Sequence, residues 1–251
     1  MNLLNSAWMR ARYTHAAMTA AMIAIFLASS LTLSMLLCCV ISLENILSAP
    51  DMYTFPATSG QCKYALALQS SRPIVIVNAP AGTGKTLLAC HEAMRYGRIA
   101  LTRPTVAADE DLGYLPGDSD TKLAPWTRPM FDVFERFMSS AQMNRVVRVE
   151  PLGFLRGRTF ENTFILADEM QNSTKSQMQL LLTRLGPGCK LVVTGDLNQS
   201  DVGPDNGLAD FLDRVHGLDL ENVDVIEMDH SDIMRSDVVK EILSIYALER
   251  T

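Results

Sequence analysis

Ala79-Pro80-Ala81-Gly82-Thr83-Gly84-Lys85-Thr86 comes directly after the apolar run Ile74 to Val77. Glycines at 82 and 84 let the backbone curl, so that successive amide N–H groups point at one spot. An anion with several oxygens fits there, and a helix starting behind it adds its positive end. Lys85 supplies a point charge for the outer phosphates, and Thr86 a hydroxyl ligand for magnesium. Strand, then [G/A]-x-x-x-x-G-K-T, then helix is the pattern of a phosphate-binding loop, and Ala79 to Thr86 are its expected contact residues. Ala79 stands where glycine is more usual. That departure is mild, because alanine is excluded only where the backbone needs positive φ.

A second set of chemical groups follows Phe164-Ile165-Leu166-Ala167, an apolar run that delivers the adjacent carboxylates Asp168 and Glu169. Opposite a phosphate loop, Asp168 is suited to hold the metal through water. Glu169, one residue on, is suited to orient or deprotonate an attacking water near the γ-phosphate. A third apolar run ends in Thr194-Gly195-Asp196-Leu197-Asn198-Gln199. In open parallel sheets, ligands collect outside the carboxyl ends of the strands. Asp168, Glu169, Thr194, Asp196 and the phosphate loop are therefore expected to converge on one crevice.

The elements that must position these groups read as an α/β sheet of mainly parallel strands flanked by helices. Strands are expected near 74–78, 98–101, 146–149, 163–167 and 190–194. A helix should run from the phosphate loop to about Tyr96, stopped by Gly97. Residues 105–124, rich in Gly, Pro and Asp, read as a long surface excursion, and Pro125–Met138 as the helix that follows it.

Residues 1–50 read as a separate hydrophobic leader or membrane anchor, and 51–251 as the catalytic domain. From Ala16 to Leu43 the chain has no charged residue, which is enough apolar length for a helix to cross a bilayer. Arg10 and Arg12 precede this run and Glu44 follows it. The charge rule would then keep the N-terminus cytoplasmic and the large domain across the membrane, an awkward address for a user of cytosolic ATP. Three readings fit the segment: a membrane anchor through residues 16–43, a cleaved secretory or organelle-import leader, or an extension the mature protein barely uses. A cytoplasmic location is favoured for the ATP-using domain itself.

The whole chain carries a net charge of −6, and without Arg10 and Arg12 the remainder carries 20 basic against 28 acidic side chains. No global basic footprint for nucleic acid exists, so any polynucleotide contact must be a local groove. Cys38, Cys39, Cys62, Cys90 and Cys189 show neither disulfide nor metal-ligand spacing, and reduced thiols are expected.

Gly195-Asp196-x-x-Gln199 resembles the third motif of superfamily 1 helicases, in which the glutamine senses the γ-phosphate. Gln61, in Ser59-Gly60-Gln61, resembles the adenine-reading glutamine of helicase-like ATPases, and its amide offers both donor and acceptor to a purine edge. The chain has no guanine-reading Asn-Lys-x-Asp element, so ATP is the expected nucleotide. Taken as a set, the motifs resemble the PhoH family of ATPases over about residues 54–248. Leu101-Thr102-Arg103-Pro104, Leu112-Gly113-Tyr114-Leu115-Pro116-Gly117-Asp118, Leu155-Arg156-Gly157-Arg158-Thr159-Phe160 and Asp168-Glu169-Met170-Gln171-Asn172 carry the likeness beyond the phosphate loop. It implies a RecA-like P-loop NTPase fold, ATP with magnesium, ATP hydrolysis and, in some relatives, an RNA context.

Superfamily 1 helicases close the ATP site with a second domain, and the stretch after Gln199 is too short for one. A homo-oligomeric ring in which a neighbour completes the site is the expected solution, with Arg235 the candidate for the completing arginine. Arg103, Arg156 and Arg158 offer planar forks for phosphate, of RNA or of ATP. The leading functional expectation is an ATP hydrolase acting on single-stranded RNA or another macromolecule. The alternatives are a slow nucleotide-occupancy sensor without a nucleic-acid substrate and, less well matched to the motifs, a small-molecule kinase.

Overall fold

The computed structural model describes residues 56–104, 119–236, 238, 239, 241 and 242, with side chains from residue 127 onward in the second of these stretches. They fall within one unit, Phe55–Thr251. The leader, its membrane-spanning reading and most of the 105–124 excursion lie outside the described residues. Among the described residues, no helix is long and apolar enough to cross a membrane.

Six strands, β1 (Ile74–Asn78), β2 (Ile99–Thr102), β3 (Val147–Val149), β4 (Phe164–Ala167), β5 (Lys190–Gly195) and β6 (Val223–Glu227), form one sheet in the order β3-β2-β4-β5-β1-β6. Every pairing is parallel. The strand that feeds the phosphate loop, β1, and the strand that ends at Asp168, β4, are thus separated by β5. Five of the strands match their expected positions. The sixth, β6, lacks a continuous apolar run: Asp224 and Glu227 interrupt it and it is only partly buried, because it pairs with β1 alone at the sheet edge.

Alternation along the strands divides the core into two layers. Val75, Val77, Phe164, Leu166 and Val192 face one side, where Tyr64, Leu88 and Phe134 complete the packing. Ile76, Ile165, Ala167, Leu191 and Val193 face the other, against Met178, Leu181 and Leu208. Helices α1 (Ser59–Gln69), α2 (Lys85–Ala93) and α3 (Ser119–Phe134) thereby cover the first face. A short α4 (Ser140–Val146) precedes β3, and α5 (Lys175–Leu182) and α6 (Gly207–Val215) cover the second face.

Two helix boundaries differ from expectation. Helix α2 stops at Ala93, because Arg95 and Tyr96 donate their N–H groups to the carbonyls of Glu92 and Ala93, three residues back, and tighten the end into a turn. Helix α3 begins at Ser119 rather than Pro125, so the excursion is shorter than 105–124 and Pro125 and Pro129 lie within the helix. Ser119, Asp120 and Thr121 favour a helix start, whereas a proline signals the first turn only when nothing upstream is helical.

Lys190 ties α1 to the sheet. It is 4% exposed, and its ammonium donates to the carbonyls of Ala67, Ser70 and Arg72 at 2.9, 3.0 and 2.7 Å. A buried cation thereby satisfies the carboxyl end of α1, where the helix dipole favours positive charge. Burial pushes the Lys190 pKa down, partly offset by Asp224 and Glu92.

Candidate functional site

The loop after β1 turns at Gly82 (φ 84°) and Gly84 (φ 80°), both in the left-handed region. Gly84 is the N-cap of α2 and no side chain caps that end. The first-turn N–H groups of α2 are therefore not covered by a capping side chain, at the positive end of a helix. Asn162 and Glu169 are the non-glycine residues with positive φ among those described, so Ala79 needs no glycine. It instead donates its N–H to the Gly195 carbonyl at 2.9 Å, joining the loop to β5. Lys85 is 7% exposed and its ammonium rests on the carbonyls of Ala79 and Pro80 at 3.2 and 3.4 Å.

Opposite the loop, Asp168 sits just past β4 and is 2% exposed. Its Oδ1 accepts from the Thr86 hydroxyl at 3.1 Å and from the Thr194 hydroxyl at 2.5 Å. Three strands and one helix thus converge on Asp168, whose backbone N–H donates to the Thr102 carbonyl of β2. Burial pushes the Asp168 pKa up and the neighbouring Glu169 adds to this, while the Thr194 hydroxyl, the Arg103 guanidinium and the Thr86 hydroxyl pull it back. A carboxylate and a hydroxyl are hard oxygen donors of the kind magnesium takes together with phosphate oxygens and water, so Asp168 and Thr86 fit that ion. Among the described residues no group of three or more His, Cys, Asp or Glu could hold a metal by itself.

Glu169 is in the left-handed region at φ 56°. Its Oε2 accepts from the Gln171 amide at 2.6 Å, and the Gln171 Oε1 accepts the Asp196 N–H at 3.1 Å. Gln199, on the turn Leu197–Gln199 after β5, is exposed, and its backbone N–H donates to the Asp196 carbonyl at 2.9 Å.

Gln61 is fully buried. Its amide donates to the Thr83 carbonyl at 3.0 Å and its Oε1 accepts the Ala57 N–H at 2.8 Å. It therefore braces the phosphate loop from behind, with both ends of the amide engaged by backbone. Arg235, the candidate for an arginine that completes a neighbour's site, lies against the loop of its own chain. A Cβ built on Gly82 would lie 2.7 Å from its Nε and 2.8 Å from its Cγ. The reason is the path of the strap that follows β6. Met228 donates to the Asn78 carbonyl and Met234 to the Gly82 carbonyl. Between them Asp232, 5% exposed, accepts from the Thr58 hydroxyl at 2.5 Å and the Gly60 N–H at 3.0 Å.

Arg158 forms a two-pronged ion pair with Glu150 and lies over the Phe160 ring, so its fork is engaged within the protein. Arg156 is exposed on the same turn, and Arg103 follows β2 at the rim beside Asp168. Cys90 and Cys189 are buried free thiols and Cys62 is half-buried. Sequence reasoning missed Gln171 and Asp232, since a polar residue in a short turn reads as surface. The available signals for Gln171 were its place two residues after the carboxylate pair and its membership of the Asp168–Asn172 stretch that carries the family likeness.

A family model described as PhoH-like protein matches residues 54–247. A PhoH-like protein of Bacillus subtilis (strain 168) is 37% identical over 202 residues, covering 75% of this chain and 62% of the relative. A PhoH-like protein of Mycobacterium tuberculosis (strain ATCC 25618 / H37Rv) is 39% identical over 216 residues, covering 81% and 60%. Protein PhoH of Escherichia coli (strain K12) is 37% identical over 202 residues, covering 74% and 56%. The chain thus spans about three fifths of the length of these relatives. Among solved structures, the large terminase from a thermophilic bacteriophage matches with a TM-score of 0.51 at 13% identity, over 75% of this chain and 50% of that one. That likeness is one of fold.

Proposed function

The chain belongs to the PhoH-like family, and from that membership and the site we propose that it is a magnesium-dependent ATP hydrolase that couples turnover to action on single-stranded RNA. One observation carries the reading: the Thr86 and Thr194 hydroxyls meet on the Asp168 carboxylate directly across from the Gly82–Lys85 cradle. In this reading the loop N–H groups and Lys85 hold the β- and γ-phosphates. Lys85 exchanges the Ala79 and Pro80 carbonyls for phosphate oxygens. Thr86 and Asp168 would hold magnesium, which when bound would neutralise charge on the phosphates. Glu169 accepts a proton from the attacking water, Gln199 senses the γ-phosphate, and Gln61 braces the loop through the Thr83 carbonyl. Arg235 acts from its own chain, next to Gly82.

Single-stranded RNA is the proposed macromolecule because Phe154, 70% exposed at the end of the short helix Leu152–Phe154, and the exposed Arg156 two residues on supply an aromatic ring and a guanidinium of the kinds that bind single strands. The test is steady-state hydrolysis by the full chain with and without single-stranded RNA. The expected result is stimulation by RNA, with a Glu169→Gln variant that keeps its affinity for magnesium-ATP but turns over about a hundred- to ten-thousand-fold more slowly. A wild-type rate indifferent to RNA would instead favour a nucleotide-occupancy sensor.

A further inference from the structure

We propose that Gln171 is a positioning residue that fixes the Glu169 carboxylate and couples it to the loop carrying Gln199; the inference rests on the hydrolase reading above. Gln171 is 1% exposed, and its two amide atoms face opposite ways. The Nε2 donates to Glu169 Oε2 at 2.6 Å, and Oε1 receives the Asp196 N–H at 3.1 Å. A carboxylate can only accept and a backbone N–H can only donate, so these partners dictate the orientation of the amide. Holding one carboxylate oxygen leaves the other as the acceptor for a water.

The same two loops are joined at three further points. The Ser200 hydroxyl donates to the Gln171 carbonyl at 2.8 Å. Asn172 and Asp201 exchange a reciprocal pair, with side-chain Nδ2 to Oδ2 at 3.0 Å and the Asp201 N–H to Asn172 Oδ1 at 2.8 Å. Close approach is built into the backbone: a Cβ on Gly195 would lie 2.9 Å from Gln171 Oε1 and 2.4 Å from a Leu208 methyl. A side chain at the end of β5 would therefore push against Gln171 and Leu208. Glu169 itself is held at φ 56°, a backbone state that a non-glycine residue keeps only when its surroundings impose it. The path from Glu169 through Gln171 to Asp196, and from the Asp196 carbonyl to the Gln199 N–H, is continuous hydrogen bonding. A shift of the Gln199 loop on meeting the γ-phosphate must then move the Glu169 carboxylate.

The experiment compares the full chain with Gln171→Met, which keeps length and loses both hydrogen bonds, and with Gln171→Glu, which keeps the acceptor for Asp196 but sets a carboxylate against Glu169. Single-turnover ATP hydrolysis, magnesium-ATP affinity and melting temperature are measured for each. Expected is a fall in kcat of about ten- to a hundred-fold in both, with affinity held within about threefold. In a Glu169→Gln background, Gln171→Met should cost no further rate, because the group it positions is gone. Wild-type kcat in both variants, or an equal loss whether or not Glu169 is present, overturns the proposal while leaving the hydrolase reading intact. If wild type itself turns over no ATP, both fall together. Should Gln171→Met not fold, Gln171→Glu decides on the same readouts.

Discussion

Gly82 shows how much a single position can carry. Its φ of 84° disfavours any side chain, and Arg235 occupies the space a Cβ would take. Gly82→Ala should therefore weaken magnesium-ATP binding at least tenfold by isothermal titration. It should also lower stability by the left-handed cost of about 1–2 kcal/mol plus the displacement of Arg235. In an Arg235→Ala background only the left-handed cost should remain in urea unfolding. An equal penalty in both backgrounds would mean that Arg235 is not against the loop. The glycine spacing was plain in the sequence because phosphate binding dictates it. The place of Arg235 was not, because it depends on Asp232 reaching back to Thr58 and Gly60, a contact between residues far apart in the chain.

Among the elements, β1, β2, β4 and β5 were legible because a strand buried on both faces must be apolar throughout. The edge strand β6 escaped notice for the converse reason, and the start of α3 was hidden by the prolines inside it. Lys190 is a further case: at the head of β5 it reads as an ordinary solvated charge, yet it holds the end of α1. Lys190→Met should cost about 3 kcal/mol in denaturant unfolding, since three backbone carbonyls lose a charged donor. The pH dependence has a definite sign. With the folded pKa below the ordinary 10.5, the unfolded chain binds the extra proton in the window between the two values, so the contribution of Lys190 rises with pH there. The stability margin of wild type over Lys190→Met should widen as pH rises toward 10.5; a margin that narrows would show that the ammonium is not desolvated.

The whole chain carries a net charge of −6, and among the described residues the parallel sheet collects its chemistry on one rim. The order β4-β5-β1 puts Thr194 between the Asp168 carboxylate and the Gly82–Thr86 loop, and this arrangement gives the candidate site its shape. Motif order in the sequence foretold which strands carry the site, but not that β5 would bond directly to Asp168. In the proposed reading, one magnesium-bound triphosphate is gripped between the Gly82–Thr86 loop and Asp168. Isothermal titration of magnesium-ATP into the full chain, beside Lys85→Ala and Asp168→Asn, tests it most directly. Saturable binding by wild type is expected, with affinity lost in Lys85→Ala and magnesium dependence lost in Asp168→Asn. No heat from folded wild type, or binding unchanged in both variants, would contradict it.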